Sequence, residues 1–157
     1  MHPNVVRVTD AARAAGLEIN VQRFPEGTRT AAEAASAVGC EVAQIIKSLV
    51  FIADEAPILA LVSGANRVDL AKLADILDSA TARRADGDEA RAATGYAIGG
   101  VPPFGHARPI TVVVDRDLLV DDRLWAAAGL PDAVFSISPD DLRRISAGTV
   151  ADLASTP

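Results

Sequence analysis

Two stretches of this chain hold residue types whose placement could support chemistry. The first centres on Lys47, inside the apolar run IIKSLVFIA at residues 45–53. Strand alternation puts Lys47 on the face of Ile45, Leu49 and Phe51, with Ile46, Ser48, Val50 and Ile52 opposite. Both faces are apolar, which predicts a central strand. An ammonium in that setting is costly unless it meets a partner or a wet cavity. Lys47 can snorkel or pair with a carboxylate, or it can stand at the base of a site for an anion or carbonyl oxygen. The local pattern supports both readings.

The second stretch is Gly99-Gly100-Val101-Pro102-Pro103-Phe104-Gly105. Glycines let backbone approach a ligand closely, and prolines stiffen the loop. Free amides could point at an oxyanion. Pro102 and Pro103 have no N–H, so Gly99, Gly100 and Val101 are the candidate donors. A rigid turn between strands is the bland alternative. Around these two stretches stand further candidates: Ser48 beside the lysine, Ser63 and Gly64 between a strand and a helix, His106 after the loop, and Asp115 at a strand end. Cys40 reads as a small buried residue, Trp125 as core, and Lys72 as an ordinary residue on an exposed helix. No serine–histidine–aspartate order, phosphate-binding P-loop or dinucleotide fingerprint is present. Two histidines and one cysteine, widely separated, do not have metal-ligand spacing.

The elements that must position these residues follow from pattern. An amphipathic helix is predicted over residues 3–15 and a strand over Glu18–Phe24, followed by Pro25-Glu26-Gly27 turn chemistry. Thr30 and Glu33 form a capping box for a helix ended by Gly39. Glu41–Gln44 reads as one helical turn. The strands IIKSLVFIA and PILALVSG, joined by an acidic turn, make the clearest hairpin. Asp69 caps a helix through Ile76 or Leu77, Ser79–Arg84 is a short strand, and Asp86 or Asp88 opens a helix through Ala93. Ile110–Val114 reads as a strand, Arg123–Ala128 as a helix, Ala133–Ile137 as a strand, and Pro139–Ile145 as a helix capped by Ser138. Mixed helices and strands with an antiparallel hairpin point to an α+β domain with a curved mixed sheet.

Composition bounds the rest. The 157 residues fit one domain, 1–157. Half are hydrophobic but only 4% aromatic, so the core must come from alanine, which occurs 31 times, with valine, leucine and isoleucine. The net charge of −6 argues against coating nucleic acid by bulk charge, though not against recognising one nucleic-acid end. Thirteen of the 15 basic residues are arginine, which leaves Lys47 and Lys72 as the only lysines. No apolar run has membrane-span length, and the first residues do not read as a secretory leader. A soluble, cytoplasmic domain without metal is the expectation.

Four segments, in order, resemble the YbaK/ProX family of aminoacyl-tRNA deacylases, which includes the editing domain of bacterial prolyl-tRNA synthetases. They are TAAEAASAVGCEVAQIIKSLVF, LALVSGANRVDLAKL, TGYAIGGVPPFG and AAGLPDAVFSISPDDL, and the resemblance covers about residues 15–150. It implies a mixed sheet curled toward a barrel, surrounded by helices. It implies hydrolysis of the ester joining a wrong amino acid to the tRNA 3′-terminal adenosine, without a cofactor. The family's essential lysine falls on Lys47 and its Gly-x-x-x-Pro loop on Gly99–Pro103. On that basis Lys47, Gly99, Gly100 and Val101 are the expected catalytic groups. Ser48, Ser63, Gly64, Pro102, Pro103, Phe104, His106 and Asp115 are the expected substrate-binding ones. The implied partners are the aminoacyl-tRNA 3′ end and a synthetase that presents it. The expected substrate is a small misattached amino acid, alanine, serine or cysteine, on tRNA(Pro). Relatives of the cysteinyl-tRNA(Pro) deacylase carry a hydroxyl residue where this chain has Pro102, so the resemblance does not single out cysteine. Two rivals remain at this level: a non-catalytic module that binds aminoacyl-tRNA or a synthetase, and a Schiff-base enzyme using Lys47.

Overall fold

The hairpin read from the sequence is the spine of the molecule. In the computed structural model, which describes residues 1–155, β2 (Ile46–Ala53) and β3 (Ala56–Ser63) pair antiparallel along their whole length, from Ile46 opposite Ser63 to Ala53 opposite Ala56. Asp54 and Glu55 turn the corner with φ of +46° and +72°, as a type I′ turn requires. The Asp54 carboxylate accepts from the Ala80 and Thr81 amides, which docks the lead-in to β4 (Ala82–Arg84) against β2. On the other side β5 (Thr111–Asp115) runs parallel to β3, and β8 (Thr149–Ala151) parallel to β5. The order in this sheet is β4-β2-β3-β5-β8.

A second, antiparallel sheet has the order β1-β7-β6, from β1 (Gln22–Arg23), β7 (Ala133–Ile137) and β6 (Leu124–Ala127). A single bridge between Ile45 and Trp125 joins the two sheets beside the start of β2. The strands thus form two sheets that do not close into a barrel among the described residues. Among the described residues five α-helices flank the sheets: α1 (Pro3–Ala14), α2 (Ala31–Val38), α3 (Leu70–Ile76), α4 (Gly87–Thr94) and α5 (Pro139–Ser146). None is long and apolar enough to cross a membrane.

The caps explain where these helices begin. Asp69, Asp86 and Ser138 each accept amides of the first turn. Thr30 accepts from the Glu33 amide, but the Glu33 carboxylate takes the Thr30 hydroxyl rather than its backbone N–H, so this box is one-sided. The core is aliphatic, with Leu59, Leu61, Val114 and Leu124 fully buried around the few large aromatics, Tyr96, Phe104 and Phe135.

Three expectations need correction. Arg123–Ala128 is not a helix: Leu124–Ala127 forms β6, because Leu124 and Ala126 bury into the main core while Trp125 packs on the opposite side under α2. Pairing with β7 overrides the helical propensity of alanine. The predicted strand Glu18–Phe24 shrinks to Gln22–Arg23, while Ile19 and Val21 pack on the core without strand partners. Lys72 is no ordinary surface lysine. Its Nζ donates to Asp152 at 3.0 Å and to the Ala154 carbonyl at 2.6 Å, pinning the C-terminal segment to α3.

Candidate functional site

Lys47 sits where the strand period puts it. Ile46 and Val50 enter the main core, and Leu49 and Phe51 enter the cluster on the opposite face, which Lys47 shares. The lysine is partly buried, and its Nζ donates to the Asn66 backbone carbonyl. That carbonyl is held rigidly. Asn66 donates from its side chain to Asp115 at 2.9 Å and to Asp117 at 2.8 Å, and its own amide donates to the Ser63 carbonyl at 2.9 Å. Asp115, fully buried, also accepts the Ser63 amide at 3.1 Å and the Asp117 amide at 3.0 Å. The carboxylate thus sets the loop, and the loop presents a neutral oxygen to the lysine.

The electrostatics around Lys47 are one-sided. Burial pushes its pKa below the usual lysine value, and the guanidinium groups of Arg84 and Arg67 push it further down. Asp115 opposes this with the weakest of the four influences. Lys47 is therefore a cation without a direct counter-ion.

Lys47 borders a cavity of about 250 Å³ at the junction of the two sheets. Ser48, Gly99 and Val101 line it with Lys47, and Ala31, Ala34, Trp125 and Val134 form the apolar wall beyond. The Ser48 hydroxyl is buried and has no hydrogen-bond partner among the described residues. An orphaned buried hydroxyl costs stability until a ligand or water satisfies it.

The glycine-rich loop divides its labour. Gly99 takes φ of +90° at the third position of the Ala97–Gly100 turn, a conformation that favours glycine. A Cβ at Gly100 would stand only 3.0–3.1 Å from the backbone of Gly129 and Leu130. The Gly100 amide donates to the Ala97 carbonyl at 3.0 Å, so it is not available to a ligand. The Gly99 and Val101 amides have no acceptor among the described residues, and both residues line the cavity.

Other expected substrate contacts lie elsewhere. Phe104 is buried, edge-on to Phe135 with 5.7 Å between ring centres. Pro103, Phe104 and His106 line a separate, shallower groove beside Ile145. The His106 Nε2 meets the Pro102 carbonyl at 2.7 Å, and burial lowers the ring's pKa. A neutral ring there donates from Nε2 and braces the loop from behind. Ser63 donates its hydroxyl to the Ala43 carbonyl at 2.8 Å. Gly64 packs where a Cβ would meet the Val42 carbonyl at 2.4 Å. Neither borders the cavity, and Asp115 reaches it only through Asn66 and Lys47. The structure adds residues that the sequence did not assign to the site: Asn66 as the lysine's anchor, Trp125, read only as core, as a wall, and Arg29 and Arg84 in the lining.

Residues 25–145 match the family model described as the aminoacyl-tRNA editing domain. The proline–tRNA ligase of Desulforamulus reducens is 29% identical over 151 residues, which cover 86% of this chain and 26% of the ligase. That of Xanthomonas oryzae pv. oryzae is 34% identical over 108 residues, covering 69% and 19%. The chain thus spans about a quarter or less of the length of these ligases. Among solved structures, one described provisionally as a trans-editing enzyme for prolyl-tRNA synthetase superposes with a TM-score of 0.93 at 44% identity, over 99% of each chain. A hypothetical protein superposes with a TM-score of 0.88 at 29% identity, over 95% of this chain and 99% of the other.

Proposed function

The chain belongs to the aminoacyl-tRNA editing domain family, and from that premise we propose that it is a trans-editing deacylase. Its substrate is a small amino acid (alanine, serine or cysteine) wrongly esterified to tRNA(Pro). It acts in the cytoplasm, where tRNA is charged, on tRNA presented by the synthetase. The similarity to a protein described as a trans-editing enzyme for prolyl-tRNA synthetase supports this role.

The observation that carries this reading is that Lys47, Ser48, Gly99 and Val101 all line one small cavity, with the Ser48 hydroxyl buried and unpartnered. An aminoacyl ester is already labile, so positioning and electrostatic stabilisation suffice. Water attacks the ester carbonyl carbon. The C–O bond to the ribose then breaks, and the proton lost by the water ends on the ribose oxygen, relayed by the neighbouring ribose hydroxyl. The Gly99 and Val101 amides stabilise the charge that develops on the carbonyl oxygen. Lys47 holds the substrate by its oxygens. The alanine-rich wall suits a short side chain, and correction after transfer is reasonable because one methylene separates substrates by only about 1–3 kcal/mol.

Single-turnover deacylation of alanyl-, seryl-, cysteinyl- and prolyl-tRNA(Pro) tests the proposal. The expected result is hydrolysis well above background for a small amino acid, with prolyl-tRNA(Pro) spared. Saturable binding with no hydrolysis of any substrate would instead establish a binding module.

A further inference from the structure

The mouth of the cavity has a charge imbalance that ester hydrolysis alone does not require. Arg29, Lys47 and Arg84 border it, and no carboxylate does. Arg67 follows Asn66, whose carbonyl receives Lys47. Unpaired arginines occur elsewhere on this surface; what sets these apart is that Arg29 and Arg84 line one cavity with Lys47, while Arg67, outside that lining, adjoins the carbonyl that receives the lysine. Arg84 is held in place as well. It lies opposite Phe51 in the β2–β4 register, with its guanidinium 5.8 Å from the centre of the Phe51 ring, on the face of β2 that carries Lys47. Arg67 and Arg84 are exposed and make no ion pair or side-chain hydrogen bond among the described residues. Both press on Lys47, and the two carboxylates beside Asn66 are engaged: Asp115 is buried and holds three N–H groups, and Asp117 accepts from the Asn66 side chain. In a chain of net charge −6, this is a local cationic island.

Size indicates what such an island would meet. A cavity of about 250 Å³ has room for an aminoacyl group and the ribose that carries it, but not for the RNA beyond. The next group along the chain is a phosphodiester, which must lie at the rim. We propose that Arg67 and Arg84 are a phosphate clamp at this rim, gripping the phosphodiester that precedes the terminal adenosine of an RNA 3′ end. The proposal rests on the reading of the cavity as an aminoacyl-RNA site. Guanidinium forks suit phosphate oxygens, and the clamp gives an acidic protein a local grip on one RNA end.

The test measures binding of a fluorescein-labelled RNA oligonucleotide ending in CCA, with unlabelled adenosine as a phosphate-free probe. Arg67→Gln and Arg84→Gln are each expected to weaken RNA binding about tenfold and to reduce the slope of log affinity against log salt by about 0.7. Adenosine binding should not change, and Arg143→Gln, at an exposed arginine on α5, should bind RNA like the wild type. The clamp is overturned if the wild type does not bind the RNA, if both site variants bind like the wild type, or if Arg143→Gln loses as much. Inorganic phosphate that displaces the RNA mole for mole would mark a free-anion site and also overturn it. A parallel hydrolysis assay separates the two claims. Arginine-dependent RNA binding without hydrolysis keeps the clamp and removes the deacylase reading. Hydrolysis with an unchanged KM for aminoacyl-tRNA in both variants does the reverse.

Discussion

The chain has two lysines, and the regions around them are built on opposite principles. Lys72 is balanced: it reaches Asp152 and a backbone carbonyl, and Arg116 shares the same aspartate at 3.6 Å. Its work is to fasten the C-terminal segment. Lys47 is unbalanced: its acceptor is a neutral carbonyl, Arg84 and Arg67 outweigh Asp115 in its surroundings, and the next residue carries an unsatisfied serine hydroxyl. A fold that needed only stability would not leave such groups together. The contrast separates a structural lysine from one that the proposed function assigns to a ligand.

The comparison can be broken first at the frame of Lys47. Asp115→Ala removes the acceptor for three N–H groups and should cost about 3 kcal/mol in urea unfolding, with loss of deacylation as Asn66 loosens. Unchanged stability would mean that the loop does not depend on this carboxylate. Ser48→Ala should separate stability from function. Deleting an unpartnered hydroxyl leaves the midpoint of unfolding unchanged or raised, while deacylation falls by about fivefold, the scale of one modest hydrogen bond. On the balanced side, Lys72→Ala should lower Tm by about 2 °C and leave the deacylation rate untouched. A rate loss there would erase the distinction between the two lysines.

The smallest effect concerns the pair that carries Arg84's neighbour. Glu89 takes the Arg83 guanidinium through both oxygens, at 2.8 and 2.7 Å, and also accepts the Asp86 amide. The Arg83 bond, followed by the Asp86 amide, holds the Glu89 pKa down from 4.5 to about 2. A depressed carboxylate stabilises the fold above its unfolded value and loses that contribution as pH falls toward its folded one. The Tm gap between wild type and Glu89→Gln should therefore be present at about pH 6 and vanish near about pH 2. A gap that does not vary with pH would show that Glu89 acts by packing rather than charge.

Local physics was readable where elements are local. The β2–β3 hairpin, the aspartate and serine caps and the side on which Lys47 lies all follow from alternation and turn chemistry. The loop was readable as a unit but not as a divided one: whether Gly99 or Phe104 meets the cavity depends on the Ala97–Gly100 turn and on Phe135, 31 positions beyond Phe104. Alanine in β6 reads as helix until β7 is beside it. The role of Lys72 rests on an aspartate 80 residues away. The gathering of Arg67 and Arg84 around Lys47 is likewise tertiary, since nothing in either local segment marks it.

The central claim is that Lys47, and not Lys72, serves the reacting end of an aminoacyl-tRNA. Single-turnover deacylation by Lys47→Ala and Lys72→Ala, run side by side on the best wild-type substrate with folding checked by circular dichroism, tests it directly. The account predicts a loss of about 100-fold or more for Lys47→Ala, the scale of one lost electrostatic stabiliser, and a wild-type rate for Lys72→Ala. A folded Lys47→Ala variant that hydrolyses the ester at the wild-type rate would contradict it.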